Sequence, residues 1–363
     1  MPHVTSYALK ANDALALLQA VASEGLGADV VSGGELAKAL KARIPPATIV
    51  FSGVGKQPDE IRAALVAGIR SLNVESLDEL EEIAAEARVL GRIAPVSVRL
   101  NPDVEGGTHQ YLTTGTAASK FGLERPKALE AVRAAAVDDS LLPVGLSFHI
   151  GSQLVDPSPV LVAAERAAEL WRELADEGIR LRDFDVGGGL GIGYEDGAEA
   201  DVKAYARATS EVAHSLDATL ILEPGRHLVG PVGTFVTRVL RIKHAGGRTI
   251  AVCDGGINDL IRPLLYAAEH PIRVLAGEGR ETVEVDVVGP LCESGDFLAL
   301  RRSLLLPQRG DLVAVELAGA YGRVMSSTYN ARPLCAEVLL ERGGWRVGRE
   351  RGSFDDLVRN ERV

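Results

Sequence analysis

The chain has 363 residues, 46% of them hydrophobic, and its 39 basic and 50 acidic side chains give a formal net charge of −11. This acidic balance disfavours nonspecific binding to nucleic acid or to an anionic membrane surface. The three cysteines (Cys253, Cys292, Cys335) form no CxxC pair, and the amino terminus has no signal pattern. The sequence therefore predicts a cytoplasmic protein that neither spans a membrane nor depends on disulfides.

Short apolar segments recur through the first 225 residues, and most end in a polar residue or a glycine. The predicted strands are Ser6–Lys10, Gly27–Ser32, Ile49–Gly53, Ser71–Ser76, Val96–Leu100, Gly145–Gly151, Asp183–Gly189 and Thr219–Gly225. Segments with apolar residues three or four apart lie between them and predict helices. These are Asp13–Glu24, Pro58–Ala67, Leu77–Leu90, Pro126–Ala136, Pro159–Glu177 and Val202–Leu216. Strands that are apolar on both faces and alternate with helices predict a (β/α)8 barrel, an α/β fold.

The active site of such a barrel lies at the carboxyl ends of its strands. The residues predicted to lie there are Lys10, Asp29, Ser32, Arg99, His149, Gly187, Gly188, Gly189 and Glu223. A lysine, a histidine, a glycine triplet and a glutamate at one barrel mouth indicate a cofactor site.

After Gly225 the pattern changes to β-rich segments joined by glycine and proline turns. The segments are Val232–Ile242, Thr249–Cys253, Glu284–Val288, Asp311–Leu317 and Pro333–Leu339. They predict a mostly antiparallel β domain. We place the boundary near Pro231, which gives a barrel over residues 1–230 and a β domain over residues 231–363.

Lys10 ends the first predicted strand, in the sequence Tyr-Ala-Leu-Lys-Ala-Asn. Such a lysine either extends past the strand to solvent or forms a Schiff base, for which its amine needs a dry pocket and a carbonyl partner. His149 ends the sixth strand. It is either a core histidine or a flat ring that stacks on a flat cofactor, and Ser152 beside it is a candidate phosphate ligand.

The glycine triplet follows Asp185 at the end of the seventh strand, where bare backbone N–H groups can approach a phosphate closely. Its context does not match a dinucleotide-binding fingerprint. Glu223 ends the eighth strand and could keep a pyridine nitrogen protonated. Arg226 could bind a phosphate or a carboxylate. The alternative for these last two is a Glu–Arg pair on the surface.

In the β domain, the sequence Cys-Glu-Ser-Gly-Asp ends at Asp296. Buried cysteines are usually small hydrophobic core residues. Because acidic residues and a glycine surround it, we predict that Cys292 is exposed and could donate a proton. No second cysteine or histidine lies at ligand spacing, so the loop is not predicted to bind a metal. Arg262 and Tyr321 lie in other predicted loops of this domain.

Taken in chain order, these motifs resemble those of the fold-type III pyridoxal-phosphate decarboxylases, whose barrel is of the alanine-racemase type. The resemblance runs from Tyr7 to about Leu357 and is closest to members that act on diaminopimelate. Besides the motifs above, it rests on Asp-Val-Val-Ser-Gly-Gly-Glu (29–35), Phe-Ser-Gly-Val-Gly-Lys (51–56), Asn-Pro-Asp-Val (101–104), Lys-Phe-Gly (120–122) and Ala-Gly-Ala-Tyr-Gly (318–322).

The resemblance implies a role for each matching residue. Lys10 would hold pyridoxal 5'-phosphate as a Schiff base, His149 would stack on its ring, and Glu223 would pair with its ring nitrogen. The other cofactor positions are Asp29, Arg99, Ser152, Gly188, Gly189, Gly225, Arg226 and Tyr321. The substrate positions are Arg226, Arg262, Tyr266, Glu293 and Tyr321. Cys292 would return a proton to the α-carbon from the partner subunit of a homodimer, and Lys120 would face Asp296 across the interface.

The leading hypothesis is decarboxylation of meso-2,6-diaminopimelate to L-lysine and CO2. Racemases of this fold place an arginine beside the ring nitrogen, so Glu223 favours a decarboxylase. Decarboxylases of ornithine, lysine or arginine recognise a distal amine and tend to have Cys-Asp where this chain has Cys292 and Glu293. They also have no need for Arg262, whose guanidinium suits a distal carboxylate. A non-catalytic homologue is the remaining alternative.

The amino terminus departs from the family pattern. Family members usually begin further upstream, with a strand of the β domain and a helix that precedes the barrel, whereas Met1 here lies nine residues before Lys10. We therefore expect an unpaired sheet edge in the β domain, from either a misassigned start or a truncated enzyme.

Overall fold

The computed structural model describes residues 2–104, 120–194, 197 and 199–362. It divides into two compact units, one formed by Met1–Ile192 and Glu199–His227 and the other by Gly193–Ala198 and Leu228–Val363. The short segment after the seventh strand therefore belongs with the second unit. The functional roles assigned above to residues 1–230 and 231–363 stay predictions.

The first unit contains a closed parallel barrel of eight strands in sequence order, and β1 pairs with β8 to close it. The strands are β1 (His3–Ala8), β2 (Gly27–Val30), β3 (Ile49–Phe51), β4 (Ser71–Val74), β5 (Ala94–Arg99), β6 (Leu141–Ser147), β7 (Asp183–Asp185) and β8 (Thr219–Leu222). The predicted barrel is confirmed.

A helix follows each strand, and the bounds of α3 and α4 are those predicted from the sequence. The helices are α1 (Leu15–Ser23), α2 (Gly33–Lys41), α3 (Pro58–Ala67), α4 (Leu77–Leu90), α5 (Arg125–Val137), α6 (Ser158–Asp176), α7 (Val202–Ser215) and α8 (Arg226–Val229). The sequence analysis did not single out α2, which begins with two glycines, poor helix formers. The Ser32 side chain caps it by accepting a hydrogen bond from the Glu35 backbone N–H.

The strands end earlier than predicted, so several residues expected at strand ends lie instead in the loops at the barrel mouth. β1 ends at Ala8, so Lys10 lies in a 3-10 turn over Leu9–Ala11. β7 ends at Asp185, which leaves the glycine triplet in the following loop. Gly187 (φ +68°) and Gly189 (φ +100°) adopt left-handed backbone angles that favour glycine.

The second unit is confirmed as mostly antiparallel. Its six-stranded sheet has the order β11-β14-β9-β10-β12-β13, and a separate hairpin joins β15 to β16. The strands are β9 (Phe235–Ala245), β10 (Arg248–Cys253), β11 (Ile272–Val274), β12 (Thr282–Val288), β13 (Phe297–Leu305), β14 (Leu312–Val315), β15 (Glu337–Glu341) and β16 (Gly344–Arg349). β10 and β12 pair in parallel, and the other described pairs of this unit are antiparallel.

Three strands and two helices of this unit were not predicted. β11 has only three residues, and β13 contains two arginines that interrupt its apolar pattern. β16 was also missed, as were the short helices α9 (Arg262–Tyr266) and α10 (Phe354–Val358). Among the helices that the structure describes, none is long and apolar enough to cross a membrane.

Each unit has its own hydrophobic core. In the first unit, the fully buried Phe184 ring contacts Phe148 and Trp171 edge-on at 6.1 and 5.9 Å between ring centres. In the second, Cys253 is fully buried among aliphatic side chains of the sheet. Its burial raises the pKa of this thiol to about 12, so Cys253 acts as a core residue.

Candidate active site

Lys10 forms an ion pair at the mouth of the barrel. Its Nζ lies 2.9 Å from Oδ2 of Asp29, which is fully buried in β2, while the lysine side chain is 36% exposed. Lys10 is thus partly exposed to solvent and also held by an ion pair. The Asp29 carboxylate holds the lysine amine at the edge of the pocket.

A second lysine near the mouth, Lys56, was not predicted as a site residue. Its side chain is fully buried, and Nζ donates hydrogen bonds to the carbonyls of Gly53 (2.8 Å) and Asn73 (2.7 Å) and to Oε1 of Glu79 (2.8 Å). An ammonium group has three donors, so these bonds use all of them. Lys56 thus joins the loop after β3 to β4 and to the first turn of α4, whereas the amine of Lys10 faces the pocket.

Arg99 is held at the end of β5 by a buried carboxylate that the sequence analysis missed. Its Nη1 donates to Oε1 of Glu75 at 2.6 Å, and the guanidinium lies 4.8 Å from the centre of the Phe121 ring. Glu75 also accepts the backbone N–H groups of Gly53 (3.1 Å) and Gly122 (2.8 Å). The Glu75 carboxylate therefore joins its own loop to the loops that contain Gly53 and Gly122, and it holds the Arg99 side chain. Its position at the end of the fourth predicted strand was the available signal.

Asp185 and Glu223 are neighbouring buried carboxyl groups, and Glu223 lines the pocket described below. Burial raises the pKa of Glu223 well above its usual value, the neighbouring Asp185 and Asp29 raise it further, and Lys10 partly offsets them. Burial likewise raises the pKa of Asp185. Two adjacent buried carboxyls resist double ionisation, so each raises the pKa of the other. The sequence analysis identified the glycines that follow Asp185 but assigned no role to the Asp185 carboxyl group.

His149 is partly buried, and its Nδ1 accepts the Gly188 backbone N–H at 3.2 Å. This bond requires an unprotonated Nδ1, so the ring of the neutral imidazole carries its proton on Nε2. Burial lowers the pKa of His149 well below its usual value, and the positive charges of Lys10 and Arg99 act in the same direction. The histidine therefore presents a neutral, flat ring at the mouth.

These groups line one pocket, whose walls are Lys10, Ser52, Asn73, Arg99, Ser147, Phe148, His149 and Glu223. The Ser147 hydroxyl oxygen is buried there and has no hydrogen-bond partner among the residues that the structure describes. Buried polar atoms normally have a partner, so this hydroxyl is suited to a polar ligand atom. The pocket therefore offers polar groups, among them the Ser147 hydroxyl, to a polar ligand atom.

The glycine loop lies directly against neighbouring backbone. A β-carbon added at Gly188 would lie 2.1 Å from the Glu223 carbonyl oxygen, and one at Gly189 would lie 2.3 Å from that of Gly151. Side chains are thus excluded where the loops after β6, β7 and β8 meet. Gly225 is similarly restricted, with its β-carbon position 3.1 Å from those of Ala8 and Ala11.

Arg226 is buried, and its Nη2 donates to the Ser152 hydroxyl at 3.0 Å. Glu223 is also buried, so the alternative that these residues form a surface pair is wrong. A guanidinium and a hydroxyl in contact beside a glycine loop provide donors suited to a phosphate.

The second unit contains a buried arginine surrounded by tyrosines. Arg262 is 3% exposed, and its guanidinium carbon lies 5.6, 5.4 and 6.0 Å from the ring centres of Tyr194, Tyr266 and Tyr321. Its Nη2 donates to the Tyr194 hydroxyl at 3.1 Å. The sequence analysis identified Arg262, Tyr266 and Tyr321 but missed Tyr194. Only its position five residues after the glycine triplet pointed to it.

The loop that carries Cys292 is exposed, as predicted. The Cys292 backbone N–H donates to Oδ1 of Asn330 at 2.8 Å. This hydrogen bond fixes the backbone of the loop and does not involve the thiol. Glu293 follows it and accepts the Gly295 N–H at 3.2 Å, which tightens the turn.

Asp296 closes the same loop from inside. It is 4% exposed, and its two oxygens accept the backbone N–H groups of Ile257 (2.8 Å) and Leu291 (2.7 Å). Lys120 is exposed, with its Nζ 5.1 Å from the centre of the Phe121 ring. The pairing of Lys120 with Asp296 across an interface stays a prediction.

Comparison with known proteins places this chain in a family. The family model described as "Pyridoxal-dependent decarboxylase, pyridoxal binding domain" matches residues 1–230. The diaminopimelate decarboxylase of Neisseria meningitidis serogroup B is 45% identical over 355 residues, which cover 98% of this chain and 86% of that protein. That of Pseudomonas aeruginosa is 45% identical over 362 residues, which cover 99% and 87%.

Solved structures agree. Diaminopimelate decarboxylase from Helicobacter pylori, complexed with L-lysine, superimposes with a TM-score of 0.96 at 43% identity, covering 99% of this chain and 90% of that one. The enzyme from M. jannaschii, also with L-lysine, gives a TM-score of 0.93 at 37% identity, with coverage of 100% and 85%. The chain belongs to the pyridoxal-dependent decarboxylase family, and within it to the diaminopimelate decarboxylases.

Proposed function

We propose that this chain decarboxylates meso-2,6-diaminopimelate to L-lysine and CO2, in lysine biosynthesis, with pyridoxal 5'-phosphate as cofactor. The observation that carries the proposal is the barrel mouth, where the Lys10–Asp29 ion pair and the Asp185–Glu223 carboxyl pair lie beside one pocket. Relatives of this activity, 45% identical over nearly the whole chain, support it. The three cysteines are all free, which fits a cytoplasmic enzyme.

The residues of the mouth fit this cofactor. Lys10 supplies the amine that binds it covalently, His149 offers its neutral ring to the flat face, and Glu223 pairs with the ring nitrogen. Asp29 and Arg99 hold the neighbouring groups in place. The phosphate ligands are Ser152, Gly188, Gly189, Gly225, Arg226 and Tyr321. When bound, the cofactor supplies a carbonyl carbon and a protonated ring that accepts the electron pair left by departing CO2.

The carboxyl pair sets the protonation of the site. Burial raises the pKa values of Asp185 and Glu223, because it disfavours two neighbouring carboxylates. A protonated ring nitrogen beside Glu223 would favour the ionised form of this side chain. The ion pair would keep the nitrogen protonated, which a neutral side chain at this position could not do.

Substrate recognition involves the second unit in this proposal. Diaminopimelate is one methylene longer than ornithine and has a second carboxylate. One of its two carboxylates is retained and becomes the carboxylate of lysine. Arg262 binds this retained carboxylate through its guanidinium. The resemblance to the family assigns Tyr266 and Glu293 to the same end of the substrate, where an acidic side chain suits the amine, and it adds Arg226 and Tyr321 as substrate residues. Cys292, which lies in an exposed loop, would supply the proton that replaces CO2 on the reacting carbon.

Substrate choice provides the test of this function. The unmodified enzyme should use diaminopimelate with a kcat/KM at least about 10³-fold above that for ornithine, because a buried guanidinium left without a carboxylate is penalised. Arg262→Met should lower kcat/KM for diaminopimelate by about 10²-fold and so reduce the ratio of kcat/KM values for diaminopimelate and ornithine. Arg273→Met, at a largely exposed arginine of the same unit, is the matched control and should change neither value. Similar rates on ornithine in the unmodified enzyme would favour a polyamine-type decarboxylase.

We also propose a homodimer in which each site combines Lys10 of one subunit with Cys292 of the other. Lys10→Ala and Cys292→Ala should each be nearly inactive alone. Mixed and allowed to exchange subunits, they should recover up to about a quarter of the unmodified activity, because half the dimers are mixed and each has one intact site. Sedimentation of the mixture checks that it is dimeric. No recovery in a dimeric, exchanged mixture would show that each site is built from a single chain.

A further inference from the structure

The hydroxyl of Tyr194 contacts the buried guanidinium of Arg262. It accepts a hydrogen bond from Nη2 of Arg262 at 3.1 Å, although the two residues are 68 positions apart in sequence. Tyr266 and Tyr321 also surround this guanidinium with their rings. Tyr194 contacts it through both its ring, at 5.6 Å, and its hydroxyl. It therefore defines the direction of one N–H bond as well as the ring plane that the guanidinium faces.

Tyr194 is itself held in place by a buried histidine. The ring of His270 meets the Tyr194 ring edge-on, at 5.2 Å and an angle of 82°. His270 is 2% exposed, and its Nδ1 lies 2.9 Å from the backbone carbonyl oxygen of Glu316, just after β14. Because a carbonyl oxygen only accepts, Nδ1 is the donor, and this bond fixes the histidine ring. The sheet of the second unit thus supports Tyr194 through His270.

The consequence for Arg262 follows from the shape of its side chain. A guanidinium presents five N–H donors in one plane and binds a carboxylate best through two parallel bonds. An arginine side chain is long and flexible, so its plane must be fixed if two bonds are to form without a large loss of conformational entropy. Directing Nη2 to a braced tyrosine hydroxyl fixes that plane before the ligand arrives.

We propose that Tyr194 is a positioning residue that orients Arg262 for the carboxylate retained by the substrate. The proposal rests on the function proposed above, in which Arg262 binds that carboxylate. Tyr194 then determines specificity without acting at the reacting carbon. It discriminates between ligands that keep a carboxylate at the far end and those that have only an amine there.

The experiment uses Tyr194→Phe in the holoenzyme, which keeps the ring and removes the hydroxyl. We expect KM for diaminopimelate to rise about 10-fold with kcat nearly unchanged, since the lost bond involves a charged donor remote from the chemistry. The probes are L-lysine, which has the retained carboxylate, and 1,5-diaminopentane, which lacks it. The inhibition constant of lysine, measured as a competitive inhibitor, should rise about 10-fold, and that of 1,5-diaminopentane should not change. Tyr329→Phe, at an exposed tyrosine of the same unit, is the matched control.

Two outcomes would overturn the proposal. Equal weakening of both inhibitors would indicate a general structural role for Tyr194, and unchanged lysine binding would show that the hydroxyl does not position Arg262. Arg262→Met, measured in parallel, separates this inference from the proposed function. If Arg262→Met leaves lysine binding unchanged, the proposed function of Arg262 fails. If Arg262→Met weakens lysine binding and Tyr194→Phe does not, the positioning role alone fails. In the double variant, Tyr194→Phe should add nothing to the loss caused by Arg262→Met.

Discussion

Replacing Lys10 by alanine is expected to abolish covalent attachment of the cofactor and to lower turnover by about 10³-fold or more, as removal of a covalent catalytic group commonly does. The reason lies in the difference between the two lysines of the mouth. The Lys10 amine faces the pocket beside Asp29, whereas Lys56 donates all three of its ammonium hydrogens to buried acceptors. Lys56 therefore cannot replace Lys10.

The measurement is borohydride reduction followed by mass spectrometry, which fixes the cofactor on the lysine that holds it. The unmodified chain should gain the cofactor's mass on the peptide that contains Lys10, and Lys10→Ala should gain none. Lys10→Arg is the matched control, because it keeps the positive charge beside Asp29 but has no amine able to form a Schiff base. Reduction that still fixes the cofactor on Lys10→Ala would assign this role to another lysine.

Glu223→Gln should reduce kcat for decarboxylation by about 10²-fold while the cofactor stays bound, an effect of the size found when one stabilising electrostatic group is removed. Glutamine is isosteric with protonated glutamate and can still donate to Asp185, but it cannot form an ion pair with a protonated ring nitrogen. The effect on kcat should exceed that on KM. Glu223→Asp keeps the charge at a shorter reach and should retain more activity than Glu223→Gln.

The same substitution has a second effect that is independent of catalysis. The raised pKa of Glu223 means that the folded chain without cofactor holds a proton that the unfolded chain releases above pH 4.5. The contribution of Glu223 to stability is therefore fully present below pH 4.5 and is lost as the pH rises through the folded-state pKa. Glutamine at position 223 removes this loss, so the melting temperature of cofactor-free Glu223→Gln should exceed that of the unmodified chain increasingly from pH 5 to pH 8. Parallel melting curves would show that the folded chain does not raise the pKa of Glu223, and equal kcat values would separately remove Glu223 from the mechanism.

Local pattern accounts for what the sequence could predict about the fold. α3 and α4 have the predicted bounds because proline or an N-cap begins each one, a left-handed glycine ends it, and the apolar spacing between is helical. β11 and β13 were missed because strand formation depends on partners far along the chain. Ile272 pairs with Val315, and Thr282 pairs with Leu305.

The sequence by itself determined the barrel and the position of Lys10, His149 and Glu223 at its mouth, because parallel strands in a closed barrel all end on the same side. Only the tertiary structure decided the state and availability of these groups. The tertiary structure showed that the Lys10 amine faces the pocket whereas the Lys56 side chain is buried. It brought Asp185 next to Glu223. It also placed Tyr194 in the second unit, in contact with Arg262, although Tyr194 follows a barrel loop in the sequence. The physical reason is that burial, pKa and hydrogen-bond geometry depend on neighbours that are distant in sequence, whereas helical and strand periodicity depends on near ones.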